Sequence, residues 1–160
     1  MTVTLRPVQP DDEGFVFTLY AASRNDEMAA WGWPEAQQQA FLRLQFNGRQ
    51  QHYKTQFPQA EHQIIMLDEL PIGGMVVAEL DNAFRLADIV LLPEHRGKGY
   101  AAALIQGLLD KAKQANKPVQ LFVERFNPAI RLYERLGFSI VGDIGSHLSM
   151  EWTAGEQPIE

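Results

Sequence analysis

The chain has no cysteine. Disulfides, thiolate nucleophiles and thiolate-held metals are excluded with it, and the absence is in keeping with a cytoplasmic location. Long apolar runs are also missing. A bilayer span needs about 20 apolar residues, whereas the most apolar stretch, around Ala87 to Pro93, is interrupted by Asp88. No membrane association is expected, and no basic-then-apolar leader follows Met1 to signal secretion. Positive charge is scarce: 14 Lys and Arg against 20 Asp and Glu leave a net charge of −6. The cations are too few and too scattered for the basic face of a general nucleic-acid binder. An acidic surface attracts cationic partners such as amines, and it also serves plain solubility. His52, His62, His95 and His147 show neither His-x-His nor His-Glu-x-x-His spacing, so no metal site is expected. There is no Gly-x-Ser-x-Gly elbow, no internal repeat and no low-complexity tract.

What remains is an ordinary globular composition, 46% hydrophobic and 21% charged. A chain of 160 residues fits one domain and can bury roughly two thirds of its unfolded surface. Residues 1–154 are read as a single domain and 155–160 as a loose tail.

Periodicity predicts a strand from Val3 to Gln9, then a helix after Pro10-Asp11-Asp12 with Phe15, Leu19 and Ala22 on one face. Asn25 to Trp33 reads as a loop or a broken helix. Pro34 suits the first position of a long polar helix that Pro58 stops. Strands follow over Gln63 to Leu67, Met75 to Leu80 and Phe84 to Leu92, with Pro71 and Gly73-Gly74 read as a hairpin turn and Asp81-Asn82 as another. The third of these is nearly all apolar and is expected at the centre of the sheet. A helix with Leu104, Ile105, Leu108 and Ala112 on one face is followed by a strand from Val119 to Glu124. Asn127-Pro128 then opens a helix that Gly137 closes, and two strands, Phe138 to Val141 and Leu148 to Trp152, finish the chain. The second is expected at an edge. The order implies an α/β (α+β) domain: a mixed, mostly antiparallel sheet of about seven strands with helices on both faces. Parallel pairing is expected at the two late βαβ crossovers.

The chemistry concentrates where the central strand ends in Arg96-Gly97-Lys98-Gly99-Tyr100-Ala101 and a helix begins. Two glycines in three residues let the backbone curl tightly. Free amides at a helix start carry about half a positive charge, so the turn suits phosphates. A plain strand–turn–helix connection is the alternative. A Walker loop is excluded because Gly99, not Ser or Thr, follows Lys98. The dinucleotide fingerprint fits poorly: Ala102 takes its last glycine position, and no acid follows ~20 residues on at a strand end.

The stretch Leu91-Leu92-Pro93-Glu94-His95-Arg96-Gly97-Lys98-Gly99-Tyr100-Ala101 resembles the acetyl-CoA-binding motif of the GNAT acyltransferases, [Arg/Gln]-x-x-Gly-x-[Gly/Ala], filled by Arg96, Gly99 and Ala101. A second block, from Asn127-Pro128-Ala129 through Leu132-Tyr133 to Gly137-Phe138, is similar to the family's Asn-Pro-Ala-x-x-Leu-Tyr-x-x-x-Gly-Phe ending. The strand order fits from about Val3 to Trp152.

The resemblance implies an N-acetyltransferase with acetyl-CoA as cosubstrate, no metal, and an amine acceptor that the sequence does not identify. A small-molecule primary amine is favoured over a protein or peptide. A non-catalytic acyl-CoA sensor is the alternative, and a homodimer is compatible with either. Backbone groups of Ile89, Leu91 and Leu92 would pair with the pantetheine arm. Gly97, Lys98, Gly99, Tyr100 and Ala101, with Arg96, would hold the pyrophosphate. Asn127 would touch pantetheine or simply cap its helix. Tyr133 would protonate the departing thiolate; its plain alternative is a core residue. The family often places a base glutamate on the central strand. Counting back six from Leu91 reaches Arg85 instead, and Asp88 and Glu79 are the nearest acids, neither well placed. Trp31, Trp33, Phe46, His52 and Tyr53 lie where the family's early helices line the acceptor pocket, or are core aromatics.

Overall fold

The computed structural model describes residues 2–154. The tail expected at 155–160 lies outside them. Seven strands run β1 (Val3–Pro7), β2 (Glu61–Leu67), β3 (Leu70–Glu79), β4 (Phe84–Leu91), β5 (Val119–Glu124), β6 (Ser139–Asp143) and β7 (His147–Trp152). The helices are α1 (Glu13–Ala29), α2 (Glu35–Gln56), α3 (Tyr100–Ala115) and α4 (Ala129–Arg135). Hydrogen-bonded neighbours follow the order β1-β2-β3-β4-β5-β7-β6, one mixed seven-stranded sheet. The described residues fall into two compact units, residues 2–75 with Ile89–Arg96, and Val76–Asp88 with residues 97–154.

In the first unit, β1 pairs antiparallel with β2, Leu5 opposite Ile65. Ile64 and Ile65 are both fully buried, so β2 is covered on both faces. Each such side chain contributes about 1.5–3 kcal/mol. Leu19 on α1 and Leu42 and Phe46 on α2 are buried with them. Phe17 meets Phe46 edge-on at 5.3 Å between ring centroids. An ion pair, Arg6 Nη1 to Asp12 Oδ2 at 2.8 Å, fastens β1 to the 3-10 turn that precedes α1.

Two expectations fail in this unit. The helix α1 does not break at Asn25 but continues to Ala29; Met28, almost wholly buried, supplies the anchor that carries it on. Pro71 and Gly73-Gly74 form no turn, because β3 runs straight through them and Asp68-Glu69 makes the hairpin. Asp68 adopts φ 54° there. The glycines serve close approach: a Cβ on Gly73 would lie 2.3 Å from the Val90 carbonyl oxygen.

In the second unit, β4 pairs parallel with β5 through Phe84↔Val119 and Arg85↔Gln120, and β5 pairs antiparallel with β7. The helix α3 buries Ile105, Leu108, Leu109 and Ala112 and ends on Asn116 in the left-handed conformation. The first late crossover gives its parallel pair; the second does not. Strand β7 inserts between β5 and β6, so β6 is the edge and the expected edge position of β7 is corrected. Met150 and Trp152 explain the exchange: both are buried, whereas Ile140 and Val141 of β6 are half exposed or more. A Cβ on Gly137 would come within 3.0 Å of Trp152 Cδ1, so that indole packs against the end of α4.

Candidate functional site

The end of β4 is built by its neighbour β3. The Leu92 amide donates to the Ile72 carbonyl at 2.9 Å, and the Leu92 carbonyl accepts from the His95 amide at 2.9 Å. Both backbone groups of Leu92 are therefore engaged within the fold. Adjacent residues of an extended chain point their amides to opposite sides, so Leu91 turns its own away from β3. Arg96 Nε donates to the Leu91 carbonyl at 3.0 Å, which ties the strand end to the following turn. Ile89 lies two residues before Leu91 on the same strand.

The turn itself is strained open by glycine. Gly97 has φ +74° and Gly99 φ +84°, values that L side chains rarely adopt, and a Cβ on either would meet nothing within 4 Å. Gly99 caps α3, and its carbonyl takes the first bond from the Ala103 amide at 3.1 Å. The amides from Gly99 to Ala102 have no acceptor among the described residues. They project from a helix N-terminus into unfilled space, with exposed Arg96 and Lys98 beside them. This is a cradle for an anion with several oxygens, and the residues fit a pyrophosphate.

Asn127 and Tyr133 lie in the second unit. The Asn127 Oδ1 accepts from the Ala129 amide at 2.8 Å, so its capping role is realised. Tyr133 is 8% exposed, packs edge-on against Phe138 at 5.8 Å, and has no hydrogen-bond partner among the described residues. Burial, with a smaller contribution from the Asp88 carboxylate, pushes its hydroxyl from 10.0 up to about 12. The phenol is therefore a neutral proton donor at any physiological pH. Asp88 acts on Tyr133 by charge. Glu79 is engaged elsewhere, in an ion pair with Lys117 Nζ at 3.0 Å.

Of the early aromatics, Phe46 and Tyr53 are buried. Trp31 and Trp33 instead cluster with Phe41, with centroids 5.0 to 5.6 Å apart. No group of three or more His, Asp or Glu suited to a metal ion occurs among the described residues. No helix among them is long and apolar enough to cross a membrane. Sequence reading noted Arg85 only as a missing acid and passed over Phe122. The structure stacks the two, with the Arg85 guanidinium carbon 4.6 Å from the ring centroid; the alternation of buried and open positions on β5 was the available signal.

Residues 12–138, more than half of the chain, match the model of the acetyltransferase (GNAT) family. The chain belongs to the GNAT acetyltransferase family. It is 27% identical to the spermidine N(1)-acetyltransferase of Escherichia coli K12 over 149 residues, which cover 89% of this chain and 76% of that protein. The fold is shared with PaiA N-acetyltransferase from Thermoplasma acidophilum in complex with coenzyme A, at TM-score 0.72 and 18% identity, covering 96% of this chain and 100% of that one. It is shared equally with a spermidine N-acetyltransferase chimera from Vibrio cholerae and hSSAT, at TM-score 0.65 and 22% identity, over 96% of both chains. This GNAT protein is thus an acyltransferase whose fold has a coenzyme A-bound counterpart.

Proposed function

We propose that this GNAT protein moves the acetyl group of acetyl-CoA directly to the primary amine of a small molecule, and that residues 1–154 work as one catalytic domain in the cytoplasm. The observation that carries the proposal is the Gly97–Gly99 turn, with its left-handed glycines and its acceptor-free amides at the start of α3. Arg96, Lys98 and the amides of Gly97, Gly99, Tyr100 and Ala101 hold the pyrophosphate, and their charge is local in a chain of net charge −6. Ile89 and Leu91 offer backbone groups to the extended pantetheine arm, Leu91 on the edge away from β3. Asn127 holds the start of α4 and thereby the placement of Tyr133.

In the reaction a neutral amine nitrogen attacks the thioester carbonyl carbon. A C–N bond forms, the C–S bond breaks, and the electron pair leaves on sulfur. Tyr133 gives its phenolic proton to that sulfur, and the proton lost by nitrogen returns through water to restore it. The Leu91 amide stabilises the negative charge that develops on the carbonyl oxygen. The test is thiol release from acetyl-CoA in the presence of a panel of small primary amines, beside calorimetric binding of acetyl-CoA alone. Binding together with amine-dependent thiol release is expected. Absence of acetyl-CoA binding would overturn the proposal.

A further inference from the structure

Arg85 is the only cation on β4. It alternates with Phe84 and Leu86, both buried, so it lies on the opposite face of the strand. It is also the last β4 residue with a register partner on β5, Arg85↔Gln120. Because the two strands are parallel, Phe122 lies two residues beyond that pair, toward the C-terminal ends. The guanidinium nevertheless sits 4.6 Å from the Phe122 ring. It leans forward, past the last paired residues, into the stretch where β4 and β5 no longer share a register. Phe122 is 50% exposed, so the stacked pair is reached from solvent. On the same face Gln120 Nε2 donates to Glu151 Oε2 at 3.1 Å, which occupies that neighbouring carboxylate.

A guanidinium here has a chemical consequence. Burial lowers its affinity for protons somewhat, but arginine remains charged at every working pH, so the residue cannot serve as the base. A planar cation backed by an aromatic ring recognises carboxylates through paired, charge-assisted hydrogen bonds, and it repels ammonium groups. Resting on the acetyl-transfer reading above, we infer that Arg85, braced by Phe122, selects an acceptor that carries a carboxylate besides its amine and rejects polycationic amines. The substrate class is then an amino acid or another ω-amino carboxylate. The relatives whose names specify spermidine would differ from this chain at that point.

The experiment uses two amines of matched length, 6-aminohexanoate and 1,6-diaminohexane, with spermidine as a longer polycation. Wild-type protein is expected to show kcat/KM at least about tenfold higher for 6-aminohexanoate, corresponding to ~1.4 kcal/mol. Arg85→Gln should level the two, Arg85→Glu should reverse the order, and Arg85→Lys should keep it in weakened form. Raising ionic strength should narrow the wild-type preference, because the pair is open to solvent and screened. Equal or better use of the diamine or spermidine by wild type overturns the inference, as does an unchanged preference in folded Arg85→Gln. If that variant does not fold, a wild-type preference that ignores salt is decisive against it. Acetyl-CoA binding with turnover of neither amine also counts against it. Loss of acetyl-CoA binding itself would instead overturn the underlying transfer reading, so the two failures are distinct.

Discussion

Gly73 on β3 and Gly99 before α3 both belong to closely spaced glycine pairs, and glycine is required at them for opposite reasons. A Cβ on Gly73 would strike the Val90 carbonyl oxygen at 2.3 Å and Leu91 Cδ2 at 2.9 Å. The neighbouring strand comes so near that no side chain fits. A Cβ on Gly99 would meet nothing within 4 Å, yet φ +84° is unfavourable for any L side chain. There the chain's own conformation makes the demand, and the space above the turn stays open. One pair seals the packing that holds the end of β4; the other leaves a surface on which helix amides can meet an anion. The same local signal therefore has two physical causes, and only the neighbours in space tell them apart.

The largest expected effect breaks the sealed side. Gly73→Ala forces either the β3 backbone or the Val90 carbonyl to move. Overpacking of this kind costs typically 1–3 kcal/mol, and a backbone collision belongs at or above the upper end, about 3 kcal/mol. For a chain of this size that lowers the melting temperature by roughly 6–12 °C. Calorimetry checks it, and a melting temperature within a degree or two of wild type would show that β3 and β4 can part without cost.

Next in size is the proton donor of the open side. Tyr133→Phe keeps the ring against Phe138 and removes one hydroxyl. Turnover should fall by roughly 10²-fold, about 2.7 kcal/mol, while acetyl-CoA affinity stays nearly constant. A general acid must be protonated to act. With its hydroxyl held near 12 rather than at 10.0, Tyr133 stays protonated up to about pH 11. The wild-type rate should therefore not decline on its account near pH 10. Wild-type turnover in the folded variant, with chemistry limiting the rate, would return Tyr133 to a packing role.

Both glycine pairs were visible in the sequence, but only the second could be read correctly. Gly97 and Gly99 sit between a strand and a helix, so the turn follows from local periodicity alone. Gly73 stands beside Pro71 and Gly74, a combination that locally spells a turn, and the reason for it is the carbonyl of Val90, seventeen positions away. The inner position of β7 was hidden for the same reason. Its burial depends on register with β5, Leu121↔Met150, across a long separation in sequence. Helix α1 outran its predicted end because a tertiary anchor, Met28, overrides the local mixture of polar residues around it. Site residues that follow from local turn and cap chemistry, Gly99 and Asn127, were legible. Arg85 was not, because its meaning comes from Phe122 on another strand.

The third effect separates binding from folding at the open turn. Gly99→Glu adds a side chain and a negative charge where the pyrophosphate is proposed to lie. Acetyl-CoA affinity should fall by more than about tenfold, above ~1.4 kcal/mol. The fold should persist, since nothing lies within 4 Å of the added Cβ. Isothermal titration on a variant with a cooperative melt checks it, and undiminished affinity would remove the phosphate site from this turn.

The smallest effect sharpens the contrast most, because it applies the Gly73 substitution to the other pair. Gly99→Ala adds the same single methyl group. At Gly73 that methyl meets a carbonyl oxygen; at Gly99 it meets open space, so no packing penalty arises. What remains is the backbone preference. Holding an L residue in the left-handed region costs roughly 1–2 kcal/mol, and alanine lacks the side-chain oxygen that lets Asn or Asp offset part of this. The sole partner of the residue in the turn, the bond from the Ala103 amide to the Gly99 carbonyl at 3.1 Å, does not involve the position of the methyl. The melting temperature should therefore drop by about 2–8 °C at most, less than for Gly73→Ala. Acetyl-CoA affinity should change by well under the tenfold of Gly99→Glu, since neither the amides nor the charge is altered. Paired melts of the two alanine variants, with one titration for Gly99→Ala, check both halves. A loss in Gly99→Ala equal to that in Gly73→Ala would mean that the turn is packed rather than open, and the anion cradle would lose the space on which it depends.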